Sequence, residues 1–203
     1  MKKYLIEFIG AFFLVLTIAL TGNPIAIGFV LMVLVYMGGY ISGAHYNPAV
    51  TLTMFLTGKI GQNEAGKYVI AQILGGLVAA GTFSFIHGSS FVPAIAANAS
   101  WSSALILEAL FTFLLTSVVL NVAATDKTKG NDYFGLAIGM TVLVGAFAAG
   151  PISGGVFNPA VAIGPMLADI GNIGAHLNDL IIYIIAQAIG AVLAAVVYKL
   201  KFV

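Results

Sequence analysis

The sequence predicts an all-α membrane protein: six transmembrane helices plus two short re-entrant half-helices, arranged as an inverted repeat. Three observations carry that prediction. Of the 203 residues, 61% are hydrophobic and 7% charged, and the mean hydropathy of +1.07 lies far from that of an ordinary soluble domain. Six apolar runs each approach the roughly 20 residues a helix needs to cross a bilayer. The eleven residues SGAHYNPAVTL, starting at Ser42, return almost unchanged as SGGVFNPAVAI, starting at Ser153.

Taken in chain order, the first span covers Tyr4–Thr21 and directly follows Met1-Lys2-Lys3. No cleavable signal pattern precedes it, so it is expected to stay as a helix. Asn23-Pro24 punctuates the chain before the second span, Ile25–Ile41. Next comes Asn47-Pro48-Ala49. Asn is a favoured helix N-cap and Pro is preorganised for the first helical position, so a short helix is expected from Pro48 to about Leu56. A helix of roughly ten residues rises about 15 Å, half of a 30 Å hydrocarbon core, so it enters without crossing. After a break from Gly58 to Glu64, the third and fourth spans cover Ala65–His87 and Trp101–Ala124. The polar stretch Asp126 to Asp132 separates these from the fifth span, Tyr133–Gly150. Asn158-Pro159-Ala160 then opens the second half-helix, and Leu177–Leu200 is the sixth span. No linker or low-complexity tail interrupts the chain, so residues 1–203 read as one domain.

The repeat reaches beyond the two tripeptides. The offset that carries Asn47 onto Asn158 also carries Ala26-Ile27-Gly28 onto Ala137-Ile138-Gly139. Slightly shifted offsets carry Glu7 onto Glu108, and Ala71-Gln72 with Gly75 onto Ala186-Gln187 with Gly190. The half-repeats are therefore about 1–100 and 101–203. Halves of three spans each enter the membrane from opposite sides, related by a pseudo-two-fold axis in its plane. Lys2, Lys3, Lys59, Lys67, Lys127, Lys129, Lys199 and Lys201 all fall on one side if six spans alternate. The positive-inside tendency makes both termini cytoplasmic.

Paired by this symmetry, the two half-helix N-termini meet near the midplane. Each cap asparagine uses its side-chain oxygen on its own helix and turns its NH2 donors toward whatever passes. Two donors and two positive dipole ends favour neutral oxygen-bearing solutes and repel cations and protons. Backbone that leaves helix at membrane depth is tolerated only where protein buries it or water lines it. Ala71-Gly75-Ala79 and Ala186-Gly190-Ala194 let helix backbones approach closely, which suits a rigid channel better than a rocking transporter.

Other chemistries find no support. A formal net charge of +1 and the lack of a basic patch interleaved with aromatics speak against nucleic acid. With no cysteine, disulfides and thiolate metal sites are excluded. His45, His87 and His176 have no metal-site spacing. No nucleophile motif or glycine-rich phosphate loop occurs, and neither an enzymatic role nor a cofactor is expected.

Paired Asn47-Pro48-Ala49 and Asn158-Pro159-Ala160, Ile41-Ser42-Gly43 and Ile152-Ser153-Gly154 before them, Glu7 and Glu108, and Gly164-Pro165 together resemble the aquaporin and aquaglyceroporin family (major intrinsic proteins) over essentially the whole chain. The resemblance implies a pore within each subunit, a homotetramer in the plasma (inner) membrane, and Glu7 and Glu108 holding the re-entrant loops. It also implies water and small neutral solutes as permeants. Carried over position by position, the outer selectivity filter falls on Ile27, Ala146, Gly155 and Val161, and His45 is a pore-lining candidate.

The departure from the family pattern lies at Val161, where an arginine is usual. All eight basic residues are lysines, so no arginine arrives from elsewhere. Ala162 stands where glycerol-type members usually carry an acidic residue. The filter is therefore apolar and small, a set expected to pass larger neutral solutes, ammonia or dissolved gas more readily than a tight polar one. Phe147, Phe91 and Trp101 are the aromatics available to narrow the mouth, and Asp169 and Asp179 are available to shape its vestibule. Three classes stay open on sequence: a passive channel for water or small solutes, a non-conducting structural protein, and a secondary transporter.

Overall fold

The computed structural model describes residues 1–202; Val203 and the side chains of Lys201 and Phe202 lie outside the described part. Eight α-helices follow one another: α1 (Lys2–Thr21), α2 (Pro24–Ser42), α3 (Pro48–Leu56), α4 (Gln62–His87), α5 (Trp101–Ala123), α6 (Phe134–Ser153), α7 (Pro159–Ala168) and α8 (Ile173–Phe202). Six are long and apolar enough to cross a membrane, and α3 and α7 are the two half-helices. The described residues contain no strand.

Helix ends follow capping chemistry and not the limits of the apolar runs. Asn23 closes the first turn of α2 by accepting hydrogen bonds from the Ile25 and Ala26 amides at 2.8 and 3.3 Å. Helix α4 starts before the apolar run, at Gln62, and its first turn carries Glu64, which pairs with Lys3. The last helix also starts earlier than its apolar run, at Ile173, after a 3-10 turn over Ile170–Asn172. Lys59 lies over the Tyr198 ring and Lys67 over Tyr4, so the start of α1, the α3–α4 turn and the end of α8 gather at one end of the bundle.

Packing repeats the sequence symmetry. Helix α1 packs on α4 as α5 packs on α8, and α2 crosses α6. Glycine makes these crossings possible. A Cβ on Gly75 would stand 2.4 Å from the Phe8 carbonyl oxygen, and one on Gly190 2.5 Å from that of Ala109. At the α2–α6 crossing, Gly28 and Gly139 each face the other's carbonyl at 2.8 and 2.5 Å from a would-be Cβ. Each half-helix leans on the last long helix of the opposite half, α3 on α8 and α7 on α4, so neither half completes its own wall. Leu5, Phe13, Ile70, Leu74, Leu110 and Ile185 remain exposed on the outside, as expected where lipid is the solvent.

Candidate functional site

The two loops that precede α3 and α7 have the same unusual backbone. Gly43 and Gly154 end their helices with φ of 86° and 90°, Ala44 and Gly155 follow at 51° and 62°, and Tyr46 and Phe157 at 51° and 46°. A bulky residue in this region costs about 1–3 kcal/mol and persists only when its surroundings over-determine it. Here the surroundings are two carboxylates, both fully buried. Glu7 accepts from Ser42 Oγ (2.6 Å), the His45 and Tyr46 amides (3.0 and 2.7 Å) and Gln72 Nε2 (2.7 Å). Glu108 accepts from Ser153 Oγ (2.7 Å), the Val156 and Phe157 amides (2.9 and 2.8 Å) and Gln187 Nε2 (3.0 Å). Four donors around each carboxyl match the acceptor capacity of an ionised group. Tyr68 and Tyr183 complete the scaffold by donating to the Ser42 and Ser153 carbonyls at 2.7 and 2.6 Å.

At the ends of these loops the asparagines cap their half-helices. Asn47 Oδ1 accepts from the Ala49 amide at 2.8 Å, and Asn158 Oδ1 from Ala160 at 3.0 Å. Pro48 and Pro159 occupy the first helical positions, where their missing N–H removes no bond. The expectation that both NH2 protons of each asparagine face a permeant needs correction. Asn47 Nδ2 donates to the Phe157 carbonyl at 2.9 Å, and Asn158 Nδ2 donates to the Tyr46 carbonyl at 3.0 Å. One proton of each amide is spent clamping the opposite loop, which leaves one per asparagine.

Both asparagines line a cavity of about 440 Å³. Ile27, Ala146, Gly155, Val161 and His45 line it as well, so the structure brings together every filter position taken from the sequence. From Phe91 and Pro93 past Ile27 and Val161 to the asparagines, the side chains on this wall are apolar or absent. His45 breaks that pattern. Its Nδ1 lies 3.0 Å from Thr51 Oγ1, which also bonds the Asn47 carbonyl and Gln72. A second cavity, of about 680 Å³, is lined by Gly39, Tyr40, Gly43, Thr125, Lys129 and Phe134. Ile138 lines both, so the two spaces are neighbours.

Of the three aromatics considered for the mouth, Phe91 and Phe147 line the first cavity, whereas Trp101 is 58% exposed and lies outside its wall. Asp169 is not a free surface charge. Ser90 Oγ, Asn172 Nδ2 and His176 Nε2 surround its carboxyl at 2.9, 3.1 and 3.1 Å. Those contacts, Ser90 foremost, hold it below the usual carboxylate range. Asp179 Oδ2 accepts from the Ile95 amide at 3.1 Å. His87, at the end of α4, stacks on Phe83. Sequence reasoning missed Tyr68 and Tyr183 and the roles of Ser42, Ser153, Gln72 and Gln187, although all six recur in register with the repeat.

Comparison with known proteins agrees with this geometry. The family model described as major intrinsic protein matches residues 1–198. The chain is 33% identical to the probable aquaporin NIP-type of Nicotiana alata, an alignment covering 98% of this chain and 77% of that protein. It is 38% identical to the glycerol uptake facilitator protein-like 6 of Lactiplantibacillus plantarum, over 96% of this chain and 95% of that one. The solved structure of the aquaglyceroporin from Plasmodium falciparum superposes with a TM-score of 0.85 at 20% identity, covering 99% and 96% of the two chains.

Proposed function

The chain belongs to the major intrinsic protein family, a family of membrane channels and not of enzymes, and from that premise we propose that water and small uncharged solutes pass through the cavity lined by Asn47 and Asn158. The observation that carries the reading is the reciprocal clamp of the two asparagines. It fixes two half-helix N-termini against one another, each with one amide proton uncommitted, in a space whose other lining side chains are apolar apart from His45. A permeant oxygen accepts those two protons in passing. A cation meets two positive dipole ends and no carboxylate among the described residues on the cavity wall, so it gains little for the water it gives up.

Glu7 and Glu108 act in this reading as loop-holding residues, His45 as a polar wall residue, and Ile27, Ala146, Gly155 and Val161 as the filter. Because that filter offers no side-chain donor, a permeant loses little by being bulky and weakly hydrated. This favours a second reading in which ammonia, dissolved gas or larger neutral solutes are the main cargo. The lysines at one end of the bundle support cytoplasmic termini in a plasma (inner) membrane. Exposed apolar side chains on α4 and α8, such as Leu74 and Ile185, leave faces on which copies can assemble as a homotetramer; native mass spectrometry measures that state.

Stopped-flow light scattering of proteoliposomes shrunk by an impermeant osmolyte tests the channel. Shrinkage faster than empty liposomes, with weak temperature dependence, is expected. Shrinkage no faster than bare lipid from correctly folded protein overturns the water reading, and parallel assays with ammonia and neutral polyols decide the second.

A further inference from the structure

The connection between α4 and α5, residues 88–100, does not simply bridge two helices over open solvent. Phe91 and Pro93 form part of the wall of the main cavity. The segment is fastened at three points. Ser90 Oγ donates to Asp169 Oδ1 at 2.9 Å, the Ile95 amide to Asp179 Oδ2 at 3.1 Å, and the Ala96 amide to the Ile152 carbonyl at 3.0 Å. Its side chains reach the filter as well. Ile95 packs against the buried cluster that holds Val156, Val161 and Tyr183. The Ala94 carbonyl lies so close to Gly154 that a Cβ there would stand 3.0 Å from it. Phe91 meets Phe83 edge-on at 6.0 Å, and Phe83 stacks on His87, so the Phe91 ring is braced from behind.

Asp169 caps the end of α7, the half-helix that carries Val161, and it keeps its own orientation through Asn172 and His176. The segment is thus tied to the same half-helix that supplies the filter. We propose that residues 88–100 form a further wall of the outer constriction, in which Phe91 sets the largest uncharged solute admitted and Asp169 and Asp179 are the positioning residues that hold it over the pore. The proposal rests on the channel reading above. Where a filter lacks a fixed cation, its width must come from bulk, and Phe91 supplies bulk in the wall of the cavity that Val161 also lines.

The test uses the full chain in proteoliposomes, with glycerol and the longer polyol ribitol as probes. Phe91→Ala is expected to raise the ribitol-to-glycerol permeability ratio by about tenfold, the scale set by removing steric bulk from an apolar selectivity pocket. Asp169→Ala should raise the ratio in the same direction by less. Asp169→Asn, which keeps an acceptor for Ser90, should restore the ratio, and a purely structural role would not separate these two variants. Because the natural chain has no cysteine, Phe91→Cys offers a second readout: a mercurial should block solute flux in this variant and leave the natural protein untouched. An unchanged ratio in folded Phe91→Ala, or a Phe91→Cys channel indifferent to the mercurial, overturns the proposal while the channel reading stands. A natural protein no more permeable than bare lipid to water and both polyols overturns the channel reading itself.

Discussion

Behind Asn47 a continuous polar chain runs from His45 through Thr51 to Gln72 and Glu7. At the matching positions behind Asn158 stand Val156, Ala162, Gln187 and Glu108. The second set has lost two of its four polar members, and Gln187 Oε1 is left buried without a hydrogen-bond partner among the described residues. A similar exchange occurs where each half-helix meets the opposite half. Thr53 Oγ1 donates to the Ala191 carbonyl at 3.1 Å in one case, whereas in the other Gly164 and Gly76 touch backbone to backbone. The loop geometry is nevertheless the same in both halves. Backbone shape at this site is therefore set by the carboxylate, serine, glutamine and tyrosine that both halves share. Polarity of the wall is set by side chains that vary without disturbing it.

Removing a shared member should break both halves, the second more severely. Glu7→Ala or Glu108→Ala leaves four buried donors unsatisfied, at about 1–3 kcal/mol each, enough to lower the thermal midpoint in detergent steeply. Glu108→Ala should have the lower thermal midpoint of the two. The first loop keeps extra anchors in the His45–Thr51 contact and in the Tyr46 hydroxyl, which donates to the Leu34 carbonyl at 2.9 Å.

Restoring charge to the apolar half should alter selectivity next. Val161→Arg places a guanidinium in the cavity wall, and polyol permeability in proteoliposomes should fall at least about tenfold while water flux persists, as expected when pore diameter and donor set decide passage.

Smaller effects follow from exchanging the variable members. Thr51→Ala strips partners from Gln72 and His45 and should cost about 1–3 kcal/mol by thermal unfolding, bringing the first half one residue closer to the second. The reverse change, Ala162→Thr, offers Gln187 Oε1 a donor and should raise stability by about 0.5–1 kcal/mol; a loss would show that the site lacks room for the added atoms.

The smallest expected response is to pH at the mouth. Asp169 has a depressed folded value, so the extra stability from its ionised contacts is complete above the ordinary carboxylate range near about pH 4 and is lost as pH falls through the lower folded value, while the protonated carboxyl still offers Ser90 an acceptor oxygen. The ribitol-to-glycerol ratio should therefore stay flat from about pH 8 into acid, as in Asp169→Asn, and only the thermal midpoint should fall below about pH 4.

Much of this was legible in the chain. The six spans, the two half-helices and the meeting of Asn47 with Asn158 follow from hydropathy, Asn-Pro capping and the repeated eleven residues, because these signals are local or self-similar. The α3 boundary expected from Asn47-Pro48 is the one observed, Pro48–Leu56, since an Asn-Pro cap fixes a helix start within one residue. The start of α8 was not legible: apolarity begins at Leu177, but Asp169 and a 3-10 turn begin the helix at Ile173. The cross-clamping of the asparagines was also hidden, since its acceptors are the carbonyls of Tyr46 and Phe157, and a backbone carbonyl leaves no mark on a sequence.

By itself, the sequence determined what must be buried, what must cross the bilayer and where two helices must begin, because each is a property of side-chain transfer energy or of one residue's capping chemistry. Tertiary structure alone decided which asparagine donors stay uncommitted and that residues 88–100 lie against Gly154 and the cluster holding Val161. Both depend on distances between segments far apart in the chain, and such distances are fixed only when the two halves close around each other.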